Sequence, residues 1–62
     1  MKRIRIEIIN QYGSQRKFAK VIDLHETTVS NILSGAMEAT EEYQTKFVKA
    51  LGLKWSELNK EI

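Results

Sequence analysis

A chain of 62 residues is long enough for a single domain over residues 1–62 and too short for an enclosed substrate cavity of enzyme size. It has no Cys, which excludes a disulfide or a thiolate metal site, and its formal charge is only +2. Residues 1–20 hold six cations and one acid (+5), whereas residues 21–45 hold five acids and neither Lys nor Arg (−5), so mainly the first third is suited to phosphate groups.

The first element is ambiguous from its pattern alone. The segment from Arg3 to Ile8 alternates polar and β-branched residues like a half-buried strand. Yet Ile4, Ile8 and Tyr12 are spaced by four, which places them on one face of a helix. A lone strand in a helical chain would have no partner, so we predict a helix over residues 2–12, with Ile6 as a misfit.

The middle of the chain predicts two short helices joined by a tight turn. Gly13 is expected to end the first helix, and Ser14 to cap a second helix over residues 15–22. A third helix is predicted over residues 26–33 and ends at Gly35. Both helices carry apolar residues at helical spacing, namely Phe18, Ala19 and Ile22, then Val29, Ile32 and Leu33.

The last third predicts two more helices after a loop over residues 36–39. Thr40 is a good N-cap for a fourth helix, which Gly52 ends. Trp55, Leu58 and Ile62 are spaced to line one face of a short fifth helix. The pattern therefore predicts an all-α domain.

The central segment carries a characteristic spacing of five residues. Gln, a small Ala, an aliphatic residue, Val and Ile fall at its first, fifth, tenth, fifteenth and eighteenth positions, here Gln15, Ala19, Leu24, Val29 and Ile32. This pattern is similar to the helix-turn-helix of the phage lambda repressor and Cro (Xre) family. The resemblance implies a five-helix lambda-repressor-like domain with the motif at helices 2 and 3. Two positions depart from the family pattern: Asp23 replaces the usual turn Gly, and His25 replaces the usual Ser or Thr cap.

The resemblance implies that the third helix enters a DNA major groove with its N-terminal end leading. Its candidate base-contacting residues are then Glu26, Thr27 and Asn31. A Glu accepts from cytosine N4, a Thr methyl meets a thymine methyl, and an Asn bonds adenine N6 and N7 together. The alternative for Glu26 is a first-turn acid that only stabilises the helix dipole. The alternative for Asn31 is an exposed polar residue that contacts no base.

Other polar residues of the motif are expected to meet the DNA backbone. In relatives the first residue of helix 2 contacts a phosphate and also hydrogen-bonds the first residue of the recognition helix. Here the first of these residues is Gln15 and the second is Glu26. The expected phosphate contacts are Gln15, Arg16, Lys17, His25, Thr28, Ser30 and Ser34. The alternative is that these are simply solvated helix faces. His25 is the one His in the chain and has no fitting co-ligands, so no metal site is predicted.

Relatives dimerise through the end of the domain, which suggests a homodimer contact through Trp55, Leu58 and Ile62. We therefore expect sequence-specific binding of double-stranded DNA at an inverted repeat and regulation of transcription, as by a small phage or mobile-element repressor. The alternative is a protein-interaction module of antitoxin-like type on the same fold, which the acid-rich middle favours. No catalytic constellation, cofactor or small-molecule ligand is predicted. No apolar run suits a membrane span or a signal peptide, so we expect a cytoplasmic protein.

Overall fold

The computed structural model describes all 62 residues and is built from five helices without a β-sheet. The longest helix has 11 residues, and none is long and apolar enough to cross a bilayer. The all-α prediction is confirmed, as is the helical interpretation of the first element. The helices are α1 (Arg3–Tyr12), α2 (Gln15–Val21), α3 (Glu26–Ser34), α4 (Glu41–Leu51) and α5 (Trp55–Leu58).

The ends of the helices follow from the residues that flank them. The hydroxyl of Ser14 accepts from the backbone N–H of Lys17 at 3.1 Å, and the hydroxyl of Thr40 accepts from that of Tyr43 at 3.3 Å. Both bonds satisfy an N–H that a first turn leaves free. At the other end of α4, Gly52 has a φ of 76° and its N–H donates to Val48 O at 2.8 Å. This left-handed conformation stops the helix at little cost because Gly has no Cβ.

The core is filled by apolar side chains from all five helices, and no polar side chain is buried with them. Aromatic rings pack edge to face across it, with centroids 5.1 Å apart for Tyr12 and Phe18, 5.3 Å for Phe18 and Phe47, and 5.8 Å for Phe47 and Trp55. This chain of rings ties α1, α2, α4 and α5 together. The buried residues are Ile4, Ile8, Phe18, Ala19, Ile22, Val29, Leu33, Phe47, Leu51 and Leu58.

The prediction for the C-terminal end was wrong in one respect. The last helix stops at Leu58, so Ile62 does not lie on it. Residues 60–62 instead run antiparallel to residues 1–3: the N–H of Arg3 donates to Lys60 O at 2.9 Å, and that of Ile62 donates to Met1 O at 3.0 Å. Because this pairing joins residues from opposite ends of the chain, the apolar spacing of the last eight residues did not reveal it.

Candidate nucleic-acid interface

The turn between α2 and α3 sets the angle of the motif. Asp23 occupies it with a φ of 58°, and it is the one non-Gly residue with a positive φ. The N–H of Leu24 donates to Ala19 O at 2.9 Å, which closes the turn on the end of α2. Asp tolerates the left-handed region better than most residues, so the turn forms without the Gly that the family pattern has. Ala19 and Val29 are both buried where the two helices pack.

The outward face of α3 is polar and small. At 100° per residue, Thr27 and Asn31 point away from the buried Val29, and Ser30 lies about a quarter of a turn around the helix from it. Thr27 and Ser30 are exposed and Asn31 is half-buried. The backbone carbonyl of Asn31 accepts from Met37 N at 3.1 Å, but its side-chain amide takes part in no internal hydrogen bond. This amide is therefore free to bond a group outside the protein.

Three other predicted phosphate contacts, at the ends and on the flank of α3, differ in exposure and in internal hydrogen bonds. Ser34 is exposed, but its hydroxyl donates to Asn31 O at 3.2 Å and accepts from Ala36 N at 3.4 Å. Thr28 is half-buried on the flank of the helix. His25 is the N-cap residue, is exposed, and makes no side-chain capping bond. Its imidazole is thus available beside the start of α3.

An open hollow of about 520 Å³ lies beside the turn, where Arg16 and Lys20 of α2 face Asp23, His25 and Glu26. Lys20 was missed as a candidate from the sequence, although it lies one helical turn after Arg16 on the same face. The contact that the resemblance implied is absent in the structure: no hydrogen bond joins Gln15 to Glu26, and Gln15 lines a different groove beside α1.

The cations of α2 and the acids of the middle segment are all free of ion pairs. Arg16, Lys17 and Lys20 are exposed, and none has a carboxylate within 4 Å. The same holds for the five acids of residues 21–45, namely Asp23, Glu26, Glu38, Glu41 and Glu42. A phosphate approaching this side would meet a basic α2 and an acidic segment that includes the start of α3.

The acids outside that segment are engaged elsewhere. The side-chain amide of Gln11 and then the guanidinium of Arg3 donate to Glu7, and they hold the pKa of its carboxyl below the ordinary value. Lys60 does the same for Glu57 at 2.9 Å, with a further contribution from Arg3, so the pKa of Glu57 is also lowered. These pairs occupy Arg3 and Lys60 and leave the cations of α2 unneutralised.

The structure separates the three residues predicted as a dimer contact. Leu58 has no exposed surface and belongs to the core, so its side chain is not available to a partner. Trp55 is half-buried against Phe47. Ile62 is 71% exposed, but it lies in the segment that pairs with residues 1–3 rather than on α5. What remains of the predicted contact is the outer edge of Trp55 and the side chain of Ile62.

Comparison of the sequence with known protein families identifies the family of the chain. A family model described as helix-turn-helix matches residues 1–58, which is nearly the whole chain. Searches of curated proteins and of solved structures gave no significant match. The matched range includes the capped α2, the turn at Asp23 and the outward face of α3. The chain therefore belongs to the Xre and lambda Cro-like helix-turn-helix family of DNA-binding transcription regulators.

Proposed function

We propose that the chain binds duplex DNA sequence-specifically as a homodimer on an inverted-repeat operator, and that it acts in the cytoplasm as a repressor of phage or mobile-element type. The observation that carries the proposal is the outward face of α3, where the amide of Asn31 has no partner within the protein. Asn31 follows Thr27 by one turn, so both reach the same stretch of a groove.

Sequence readout in this proposal is carried by Glu26, Thr27 and Asn31. Asn31 is expected to bond adenine through N6 and N7, and Thr27 to contact a thymine methyl. Glu26 lines the same hollow as Arg16 and Lys20, which supply positive charge on the α2 side of it.

Positioning on the DNA backbone falls mainly to the exposed cations of α2. Arg16 and Lys17 were expected from the sequence, and Lys20 joins them because it lines the same hollow as Arg16. Such contacts raise affinity for any sequence and fix the register of α3 in the groove. The further contacts in the proposal are Gln15, His25, Thr28, Ser30 and Ser34.

A homodimer would use the C-terminal end of the domain. The exposed side chain of Ile62 and the outer edge of Trp55 are the apolar surface available there. Two-fold symmetry would set two α3 helices about 34 Å apart, one turn of DNA. Sedimentation of the chain with and without an operator duplex, for wild type and Ile62→Lys, tests this directly. Loss of the two-to-one complex in the variant is the expected result.

The primary test is selection of bound sequences from a random duplex library near physiological salt, with wild type and Asn31→Ala in parallel. Wild type should enrich an inverted repeat with half-site centres about 10 base pairs apart. The variant should lose preference at one position in each half-site and keep it elsewhere. A folded protein that enriches no sequence would contradict the proposal and favour the protein-interaction alternative, which the unpaired acids of residues 21–45 support.

A further inference from the structure

Helix α1 carries a second apolar face that the core does not use. Its inner face packs Ile4 and Ile8 into the core, both at most 3% exposed. Around the helix axis, Ile9 lies about a third of a turn from that face and Ile6 nearly half a turn from it. Ile9 is 55% exposed and Ile6 is half-buried. The position of Ile6, a misfit in the sequence pattern, is explained by this second face.

The second face forms the wall of a groove of about 400 Å³. Ile6, Ile9 and the 70% exposed Met1 line it, with the buried Ile8 and Leu33 at its base. Isolated exposed apolar residues are ordinary on protein surfaces, but several around one concavity mark an interaction site. Because the groove extends along a helix, its shape suits the apolar face of another helix.

The charges around the α1 groove favour an acidic occupant. Arg5 lines it and has no carboxylate within 4 Å, and no acidic residue lines it. Glu61 is close to Met1, but its carboxylate pairs with the amino group of Met1 at 3.1 Å. The groove thus combines an apolar wall with one unneutralised cation, Arg5.

A second copy of the chain is a poorer fit to the α1 groove than an acidic partner. Contact across a two-fold axis through this face would bring Arg5 towards its own symmetry mate. A head-to-tail contact with the acidic segment of another copy would not close into a dimer. Nucleic acid is excluded as the main occupant because phosphates gain nothing from an apolar wall.

We propose that the α1 groove is a docking site for an acidic amphipathic helix of a partner protein, with aliphatic side chains against Ile6 and Ile9 and a carboxylate on Arg5. The docking itself does not depend on DNA binding. Its consequence, which rests on the proposed function, is interference with DNA: Gln15, an expected phosphate contact, lines the same groove and would be covered.

The test uses two synthetic amphipathic peptides of about 18 residues, since shorter ones hold little helix in water. Both carry Leu on one face; one carries Glu on the other face, and its counterpart carries Lys. Binding to the whole chain without DNA is followed by the NMR shifts of its backbone amides and Ile methyls. The Glu peptide should bind about tenfold more tightly than the Lys peptide, with the largest shifts at Arg5, Ile6 and Ile9.

Matched variants locate the site. Ile9→Gln should weaken the Glu peptide about tenfold, because Ile9 then no longer buries an apolar surface. Val21→Gln is the control: Val21 is similarly exposed, at 61% against 55% for Ile9, but it lies on α2 away from the groove, so binding should not change. Arg5→Gln should bring the affinities of the two peptides together. Circular dichroism confirms that each variant is folded.

Four results would overturn the proposal. They are equal binding of both peptides, shifts centred outside the groove, an equal loss in Val21→Gln and Ile9→Gln, and no binding up to about 1 mM. Self-association of the chain that Ile9→Gln abolishes would identify a second copy as the occupant instead. Because no DNA is present, none of these outcomes depends on the proposed function, and a failed DNA selection would leave them unchanged.

Discussion

The eight acidic residues form two groups that differ in what surrounds them. Glu7, Glu57 and Glu61 belong to the two ends of the chain, and each carboxylate has a cationic partner within 4 Å. The five acids of residues 21–45 have none. The paired acids engage Arg3, Lys60 and the amino group of Met1, so the cations of α2 stay free although the net charge is low.

This difference separates two tasks within one small interface. Most of the affinity that is independent of sequence should come from the cations of α2, because the middle segment has neither Lys nor Arg and carries five unpaired acids. Discrimination between bases must come from α3, whose outward groups are neutral apart from Glu26 at its start. If the division is correct, substitutions on α2 should change affinity for every sequence, and substitutions on α3 should change preference at single positions.

The largest effect is expected from removing two cations of α2. In Arg16→Gln/Lys20→Gln, affinity should fall roughly tenfold per lost phosphate contact near 0.1 M salt, equally for all sequences. The slope of log affinity against log salt should also become shallower by about two units. Lys49→Gln/Lys54→Gln removes the same charge from a different surface and is the control. An equal loss in the control would mean that only net charge matters and would contradict a localised contact.

The next largest effect is expected at Asn31. Asn31→Ala should cost about 1–3 kcal/mol at a single base position in each half-site and leave the salt slope unchanged. The reason is the loss of a two-bond contact to adenine from an amide that has no other partner. Asn10→Ala, the same change on α1, should leave base preference intact. The measurement is competition binding with operators altered one position at a time. An equal loss of affinity at all positions would mean that Asn31 does not contact a specific base.

A smaller, two-part effect is expected at Glu26. In Glu26→Gln, preference at one position should move from cytosine towards adenine, since Gln bonds adenine N6 and N7 while Glu accepts from cytosine N4. Affinity for all sites should also rise a few-fold because one negative charge is lost. Glu38→Gln, in the loop after α3, should give only the rise in affinity. If both variants behave alike in selection experiments, Glu26 repels phosphate and reads no base.

The fold followed from sequence where local chemistry decides it. The caps at Ser14 and Thr40 and the stop at Gly52 each depend on one residue and its neighbours, and the structure has them as predicted. The position of Ile62 did not follow, because the pairing of residues 60–62 with residues 1–3 is a contact between distant parts of the chain.

The candidate site followed from sequence less completely. The residues of α3 were placed by periodicity and by the resemblance, so their outward position could be expected. The hollow that joins Lys20 to Glu26 depends on the angle between two helices, which periodicity does not give. For the same reason the absence of a contact between Gln15 and Glu26 was not foreseen, since predicting it requires the direction of both side chains.

The turn between the two regions should respond modestly to substitution. Asp23→Gly should raise the free energy of unfolding by up to about 1 kcal/mol, because Gly adopts the φ of 58° without strain. Asp23→Ala should lower it by a similar amount, since Ala lacks the short polar side chain that eases this conformation. Urea unfolding measures both. Destabilisation by the Gly variant would mean that its greater freedom in the unfolded chain outweighs the strain relieved.

The smallest effect is expected from the paired acids. The folded-state pKa of Glu57 lies below its ordinary value of 4.5, so its carboxylate stabilises the fold above that pH, and this contribution is lost as pH falls through the lowered pKa. Glu57→Gln should therefore have a slightly lower Tm than wild type near pH 6, and the difference should disappear as the pH falls through the lowered pKa of Glu57 or in about 1 M salt. Glu38→Gln, which removes an unpaired acid, should show no such loss at pH 6. An equally large fall in Tm for Glu38→Gln would mean that the ion pairs of Glu57 contribute nothing to stability.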